Sequence, residues 1–215
     1  MSEKKGILGK GISRGRLAVI LSALQGFSNP KVRDEQYITD SEIASTVIWD
    51  AYMKGDIYGK IVLDLGAGTG ILGIGAMLLG AEEVYFVERD EGAMDIAKAN
   101  AQKIESESLA KFVLGDVTSF CDKGDTVIMN PPFGVKVEHS DRKFLEKAFA
   151  LGRVVYSFHK SETKEFVVKF SRANGFDVSQ VMDFSFPLKA TMDFHRKKIQ
   201  KINVSAFRLV KLKME

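Results

Sequence analysis

The sequence predicts an α/β protein whose single, mostly parallel sheet is covered by helices on both faces. From residue 60 onward, short apolar segments alternate with segments of helical periodicity, which is typical of parallel sheets. A glycine-rich turn, DLGAGTG, joins the first apolar segment to the first of these helices. No internal repeat and no long linker interrupts the 215 residues, so we expect one domain.

The composition is that of a soluble globular protein, with 45% apolar and 27% charged residues. No apolar segment approaches the roughly 20 residues of a membrane span. No apolar stretch follows the basic N-terminus as it would in a secretion signal. Cys121 is the single cysteine, and no cluster of Cys and His predicts a metal site. We therefore expect a cytoplasmic protein that uses no metal.

The chain divides into a short arm and one globular domain. Residues 1–15 are rich in Gly and Lys and predict a flexible basic arm. Residues 16–215 are predicted to fold as the domain. Within it, residues 16–58 form N-terminal helices and residues 59–215 form the sheet core.

Two helices are expected before the sheet. Apolar residues recur at helical spacing from Leu17 and again from Ile43. Thr39 and Glu42 have the spacing of a capping box, so we expect them to begin the second helix.

The sheet core is predicted to contain seven strands and four helices. The predicted strands are residues 60–65, 83–88, 110–116, 125–130, 153–158, 176–184 and 201–212. The predicted helices are residues 71–79, 91–104, about 141–150 and about 161–174.

The glycine-rich turn contains Gly66, Gly68 and Gly70, preceded by Asp64 at the end of the first strand. Glycine there permits a positive φ and a close approach of the backbone to a ligand. A pyrophosphate would be repelled by the carboxylate of Asp64, whereas a ligand bearing an ammonium and a sulfonium would be attracted. The turn therefore favours a cationic ligand over a dinucleotide.

This turn resembles motif I of the class I methyltransferases that use S-adenosylmethionine. The resemblance implies a Rossmann-like sheet of seven strands, mostly parallel with the last strand antiparallel. It also implies that the loop packs against the methionine part of S-adenosylmethionine. Glu88, which ends the second strand, would bind the ribose hydroxyls, and Asp116, after the third strand, would bind the adenine amine. Taken singly, either acidic residue could be an ordinary strand end.

The fourth strand ends in Asn130, Pro131, Pro132 and Phe133. Ligands of such sheets gather at the carboxyl ends of the strands, so Asn130 should face the cofactor's methyl group. Its side-chain oxygen and the Pro131 carbonyl can accept the two N–H groups of an aromatic amine. Phe133 offers a flat face for a stacked base. The simpler interpretation is a strand-ending turn with a core phenylalanine.

The segments EQYIT, DLGAGTG, VIMNPPFG, VVYSFHK and FHRKK together resemble the methyltransferase-like protein 5 family, from about residue 25 to the C-terminus. Members of that family methylate N6 of adenosine in small-subunit ribosomal RNA. The resemblance implies that Gln36, Tyr37 and Thr39 help to close over the cofactor. It also implies that Asn130 to Phe133 form the catalytic tetrad, and that a small zinc-binding activator subunit docks at the sheet edge formed by the third strand.

The net charge of +3 is unevenly distributed, which favours a polyanionic partner. Residues 1–16 carry a net +4 and residues 189–213 a net +7, so the rest of the chain is acidic. We expect His159 and Lys160 at the end of the fifth strand to lie beside the target base. The residues His195, Arg196, Lys197 and Lys198 are expected to contact RNA from the loop between the last two strands. His159 could equally be a structural histidine.

The sequence thus favours an RNA adenine-N6 methyltransferase that acts on an unpaired or flipped adenosine. A protein-glutamine N5 methyltransferase also uses an Asn-Pro-Pro turn and remains an alternative. A second alternative is a catalytically silent, RNA-binding subunit that keeps the methyltransferase fold.

Overall fold

The computed structural model describes residues 11–27, 39–104, 107–132, 140–188 and 200–212. These residues form one seven-stranded sheet in the order β3-β2-β1-β4-β5-β7-β6. The strands are β1 (Ile61–Leu65), β2 (Glu83–Glu88), β3 (Ala110–Leu114), β4 (Thr126–Met129), β5 (Val154–Lys160), β6 (Phe176–Leu188) and β7 (Gln200–Lys211). The helices are α1 (Arg14–Ser22), α2 (Ser41–Met53), α3 (Ile71–Leu78), α4 (Glu91–Lys103), α5 (Ser140–Leu151) and α6 (Lys164–Ala173).

The direction of the strands confirms the predicted sheet. Strands β1 to β5 pair in parallel, and β7 runs antiparallel to both of its neighbours, β5 and β6. Strand β3 lies at one edge of the sheet, as predicted, and the long strand β6 lies at the other.

Two apolar clusters, one on each face, hold the sheet between helices. One face is covered by α1 to α4, whose buried residues include Leu17, Ile48 and Ile74. The other face is covered by α5 and α6, which contribute Leu145 and Val167. The buried β-strands are nearly continuous apolar runs because both faces are covered.

The N-terminal helices begin differently from the prediction. Helix α1 already begins at Arg14, inside the segment predicted as an arm, and Ser13 is its N-cap. The predicted capping box of α2 is wrong. Asp40, not Thr39, is the N-cap, and its Oδ1 accepts hydrogen bonds from the backbone N–H groups of Glu42 (3.0 Å) and Ile43 (3.3 Å). An Asp at the N-cap satisfies the free N–H groups of the first turn.

The segment after α2 is anchored to the sheet by a buried ion pair that the sequence did not reveal. Arg208 of β7 donates to both carboxylate oxygens of Asp56, at 2.8 and 3.2 Å. The hydroxyl of Tyr156 donates to the same carboxylate at 2.7 Å, and Thr126 donates to the Asp56 carbonyl at 2.6 Å. The exposed fractions of the Arg208 and Asp56 side chains are only 16% and 10%.

None of the helices in the described part of the chain is both long and apolar enough to cross a membrane.

Replacement of Arg208 by Met should lower the free energy of unfolding by about 3 kcal/mol, because it leaves the Asp56 carboxylate buried without its cation. Urea denaturation would measure the loss. Lys169→Met is the control, since Lys169 and Glu165 form an ion pair whose side chains are 75% and 79% exposed. Equal stability of the Arg208→Met variant and the wild-type protein would show that the pair does not stabilise the fold.

Candidate active site

The parallel register brings the glycine loop and Asn130 to the same edge of the sheet. Asp64 of β1 pairs with Ile128 of β4, so Gly66 and Asn130 follow two residues later on adjacent strands. On its other side, β1 pairs with β2 from Ile61↔Glu83 to Leu65↔Val87. The predicted cofactor and catalytic segments therefore converge where ligands of such sheets bind.

The three glycines of the loop adopt the backbone conformation that the sequence predicted. Their φ angles are 71° at Gly66, 54° at Gly68 and 85° at Gly70, all in the left-handed region that favours glycine. The loop begins along β2, because the N–H groups of Gly66 and Ala67 donate to the Val87 carbonyl. It ends at Gly70, the N-cap of α3.

Glu88, at the end of β2, holds the glycine loop from one side. Its Oε2 accepts a hydrogen bond from the Gly68 N–H at 2.9 Å. Its Oε1 accepts from the N–H groups of Arg89 and Asp90, both at 2.9 Å. The carboxylate is thus fixed beside the loop, at the position from which a ribose contact was predicted. That contact stays a prediction.

Asp64 lies under the first turn of α3 and is 1% exposed. Its Oδ2 accepts a hydrogen bond from the Gly73 N–H at 2.8 Å. Burial raises the pKa of this carboxyl to about 7, against the opposing effect of the Gly73 hydrogen bond and with a smaller contribution from Glu88. Asp64 therefore fastens the helix to the strand, and its predicted contact with a cationic ligand remains untested.

The nitrogen and the oxygen of the Asn130 side-chain amide have different surroundings. Its Nδ2 donates to the hydroxyl of Thr39 at 3.0 Å. Its Oδ1 is buried and accepts no hydrogen bond from any residue that the structure describes. An unsatisfied buried acceptor is costly in an interior, so such a group in a folded protein calls for a partner. Pro131, which follows, is buried as well.

Three residues that sequence reasoning missed shape the glycine loop. Asn100 of α4 is fully buried and donates to the carbonyls of Gln25 (2.9 Å) and Thr69 (3.0 Å). Its Oδ1 accepts from the Gln25 N–H at 2.8 Å. The rings of Phe27 and Phe144 lie so close that a Cβ added at Gly68 or Gly66 would come within 3.0 Å of them.

Of these three residues, Asn100 alone lies in a sequence pattern that could have predicted its role. It stands on the buried face of α4 together with Ala93, Ala97 and Ala101. A polar residue on an apolar helix face requires hydrogen-bond partners. Neither phenylalanine differs in pattern from an ordinary core residue.

Asp116 is exposed beyond the end of β3, near the predicted adenine position. It is the N-cap of a short 3-10 helix, Val117–Ser119. Hydrogen bonds from the hydroxyl and N–H of Thr118 to Oδ1 lower the pKa of Asp116. The carboxylate therefore stays ionised as a hydrogen-bond acceptor at neutral pH, and its adenine contact stays a prediction.

The expectation that His159 contacts RNA is wrong, because the side chain is 2% exposed. Its Nε2 shares a 2.6 Å hydrogen bond with the Ser157 hydroxyl, and its ring stands edge-on to Phe207. Burial lowers the pKa of His159 to about 3. It is the structural histidine of the alternative interpretation. Lys160, the last residue of β5, is half-buried and lies 3.6 Å from the Glu162 carboxylate.

Several predicted site residues lie outside the described part of the chain. They are Gln36, Tyr37, Phe133, His195, Arg196, Lys197 and Lys198.

The described residues fit S-adenosylmethionine. The loop has no side chain of its own at Gly66 or Gly68, which suits close packing of a methionine group, and the rings of Phe144 and Phe27 lie against these positions in this structure. The carboxyl groups of Glu88 and Asp116, beyond the ends of β2 and β3, are hydrogen-bond acceptors that suit ribose hydroxyls and an adenine amine. The free Oδ1 of Asn130 lies on the same edge as these groups.

The comparisons with known proteins agree with this geometry. The sequence model of the Methyltransferase small domain family matches residues 40–152. The rRNA N(6)-adenosine-methyltransferase METTL5 of Danio rerio is 36% identical over 87% of this chain and 94% of its own. Its counterpart from Drosophila melanogaster is 36% identical over 90% of this chain and 94% of its own. A Pyrococcus horikoshii protein described as a candidate RNA methyltransferase is 46% identical and superposes with a TM-score of 0.86, covering 93% of this chain and 98% of its own.

The sheet order and the glycine loop define a class I methyltransferase, an enzyme that uses S-adenosylmethionine as its cofactor. More particularly, the chain belongs to the Methyltransferase small domain family and to the METTL5 family.

The raised pKa of Asp64 predicts that the protein without cofactor loses stability as the pH rises from about 4 to about 7. In that window the carboxyl is ionised in the unfolded chain and neutral in the folded one. Each pH unit should therefore lower the free energy of unfolding by up to about 1.4 kcal/mol, with no further loss from Asp64 above pH 7.

Urea denaturation at pH 5, 6, 7 and 8 would measure this dependence. Asp64→Asn should remove it, because the amide oxygen still accepts from Gly73 and does not titrate. Asp95→Asn, at a side chain that is 66% exposed, should behave like the wild-type protein. A wild-type slope in Asp64→Asn would mean that another group causes the pH dependence.

Proposed function

We propose that this protein is an S-adenosylmethionine-dependent N6-adenosine methyltransferase that acts on an unpaired or flipped adenosine of small-subunit ribosomal RNA. The observation that carries the proposal is the buried Oδ1 of Asn130, an acceptor without a partner among the described residues. It stands at the carboxyl end of β4, beside the glycine loop and directly before two prolines.

The chemistry of an aromatic amine matches this acceptor. The lone pair of such a nitrogen is delocalised into the ring, which makes the amine a weak nucleophile. Oδ1 of Asn130 and the carbonyl of Pro131 would accept its two N–H groups and favour a pyramidal nitrogen with a localised lone pair. The two prolines restrict the backbone and hold these acceptors in place. Bound S-adenosylmethionine supplies the electrophilic methyl carbon.

No general base is needed for this reaction. The methylated nitrogen carries a positive charge and loses its proton readily, so water can accept it. The protein contributes position and electrostatic complementarity. His159, on the strand next to β4, is buried with a pKa of about 3 and is too weak a base to accept a proton at neutral pH.

The choice of adenosine in RNA rests on the relatives, since the METTL5 proteins of fish and fly are named as rRNA N(6)-adenosine-methyltransferases. Phe133 would stack on the base, and Lys160 with His195, Arg196, Lys197 and Lys198 would contact phosphates of the flanking nucleotides. A base inside a duplex could not reach Asn130, which is why an unpaired or flipped adenosine is proposed.

Strand β3 offers the docking place for the proposed zinc-binding activator subunit. Among the described residues it pairs with β2 alone, and its last residue, Leu114, is 54% exposed. An edge strand presents free backbone groups that a strand of another chain can pair with.

Incubation with labelled S-adenosylmethionine and small ribosomal subunits, followed by nucleoside analysis, should yield label in N6-methyladenosine. Asn130→Ala should lower the rate at least a hundredfold while the affinity for the cofactor stays unchanged, because the lost oxygen contacts the amine. Asn174→Ala, at an exposed position after α6, is the control for folding and should keep full activity. Label in protein would support the glutamine methyltransferase instead. No label, even with an activator added, would support the silent subunit.

Replacement of Arg196, Lys197 and Lys198 by Ala should weaken RNA binding and flatten its dependence on salt. Three lost phosphate contacts should reduce the slope of log K against log salt concentration by about 2. Filter binding across a salt series would measure the slope. The same triple change at the exposed residues Lys98, Lys103 and Lys169 removes equal charge elsewhere and should have little effect. Equal slopes in both variants would exclude this loop from the interface.

A further inference from the structure

We infer that Thr39 is a positioning residue whose hydroxyl holds the amide of Asn130 with its Oδ1 directed to the substrate amine. The inference rests on the proposed function and gives Thr39 a different task from the cofactor contact that the family resemblance implies. Thr39 is 5% exposed, and its Oγ1 accepts the Nδ2–H of Asn130 at 3.0 Å.

The physical reason is the cost of an unsatisfied buried donor. When Oδ1 of Asn130 faces the substrate, Nδ2 must find an acceptor elsewhere in the interior. The Thr39 hydroxyl is that acceptor. Without it the amino group would stay unpaired, and rotation of the amide would relieve that cost. A rotated amide would present a donor to a substrate that also donates.

The hydroxyl of Thr39 is held in place by helix α2. Asp40, the next residue, is the N-cap and fixes the backbone through its bonds to the N–H groups of Glu42 and Ile43. Ile43, Ala44, Val47 and Ile48 anchor the helix in the apolar cluster. Because Asp40 caps the helix, the Thr39 side chain is free to bind Asn130.

Thr126→Val provides a matched control. Thr126 is 1% exposed and also makes one buried side-chain hydrogen bond, to the Asp56 carbonyl. It begins β4, whereas Asn130 follows the end of the same strand. Each of the two Thr→Val changes removes one hydrogen bond of a buried hydroxyl. At Thr39 the hydroxyl accepts from Asn130, whereas at Thr126 it donates to a backbone carbonyl far from the site.

The experiment compares kcat, the Kd for S-adenosylmethionine and the melting temperature of four proteins. Thr39→Val should lower kcat about tenfold with an unchanged Kd, since 1.4 kcal/mol corresponds to a factor of ten. Thr39→Ser keeps the hydroxyl and should stay within about twofold of the wild-type kcat. Thr126→Val should keep the wild-type kcat despite a comparable loss in melting temperature. A raised Kd with an intact kcat in Thr39→Val would show that the residue serves the cofactor and would overturn the inference.

A second measurement does not depend on activity. The side-chain amide of Asn130, observed by NMR in the protein without cofactor, should shift and exchange faster with solvent in Thr39→Val, and not in Thr126→Val. An unchanged Asn130 amide signal in Thr39→Val would overturn the inference whatever the activity. An inactive wild-type protein in which the signal does shift would instead contradict the proposed function and leave the role of Thr39 intact.

Discussion

The hydrogen bond between Thr39 and Asn130 is the constraint on which the site depends. This bond is one of two hydrogen bonds that join the segment containing α2 to β4, one at each end of the strand. Thr39 precedes α2 and binds Asn130, while Asp56 follows α2 and accepts from Thr126. The ion pair with Arg208 holds Asp56, whose carbonyl accepts the second of these hydrogen bonds. The bond from Asn130 to Thr39 involves the amide itself and sets its rotation, whereas the bond of Thr126 lies at the far end of β4 and supports the fold.

At the same site, the arrangement that shapes the glycine loop lowers the stability of the fold. The conformation of the loop places Gly66, Gly68 and Gly70 at positive φ. Glu88 accepts from the Gly68 N–H of the loop, and Asp64 accepts from the Gly73 N–H of the helix that follows it. The buried carboxyl of Asp64 accepts a hydrogen bond from Gly73, which does not offset the desolvation of its charge. A cation bound nearby would lower the pKa of Asp64 and relieve that cost.

The sequence predicted the elements that depend on local pattern and missed the contacts that join distant residues. Strand β2 was predicted to the residue, since apolar runs and glycine turns mark the strand ends. The glycine loop was predicted because only glycine tolerates its φ angles. Asn100 binds Gln25, 75 residues away, and Arg208 binds Asp56, 152 residues away. These contacts arise from tertiary packing, which no local sequence pattern indicates. The cap of α2 lies at Asp40, and the hydroxyl of Thr39 instead accepts from Asn130, 91 residues away.

Because His159 is buried, Lys160 is the residue at the end of β5 that is left for the proposed RNA-binding surface. Side chains alternate along a strand, so Ser157 and His159 share one face of β5, and Lys160 shares the other with Tyr156 and Phe158. Tyr156 and Phe158 belong to the cluster that packs under α1 to α4. Lys160 therefore points to the face of the sheet that α1 to α4 cover, and away from α5 and α6. The proposed phosphate contact of Lys160 would lie on that face.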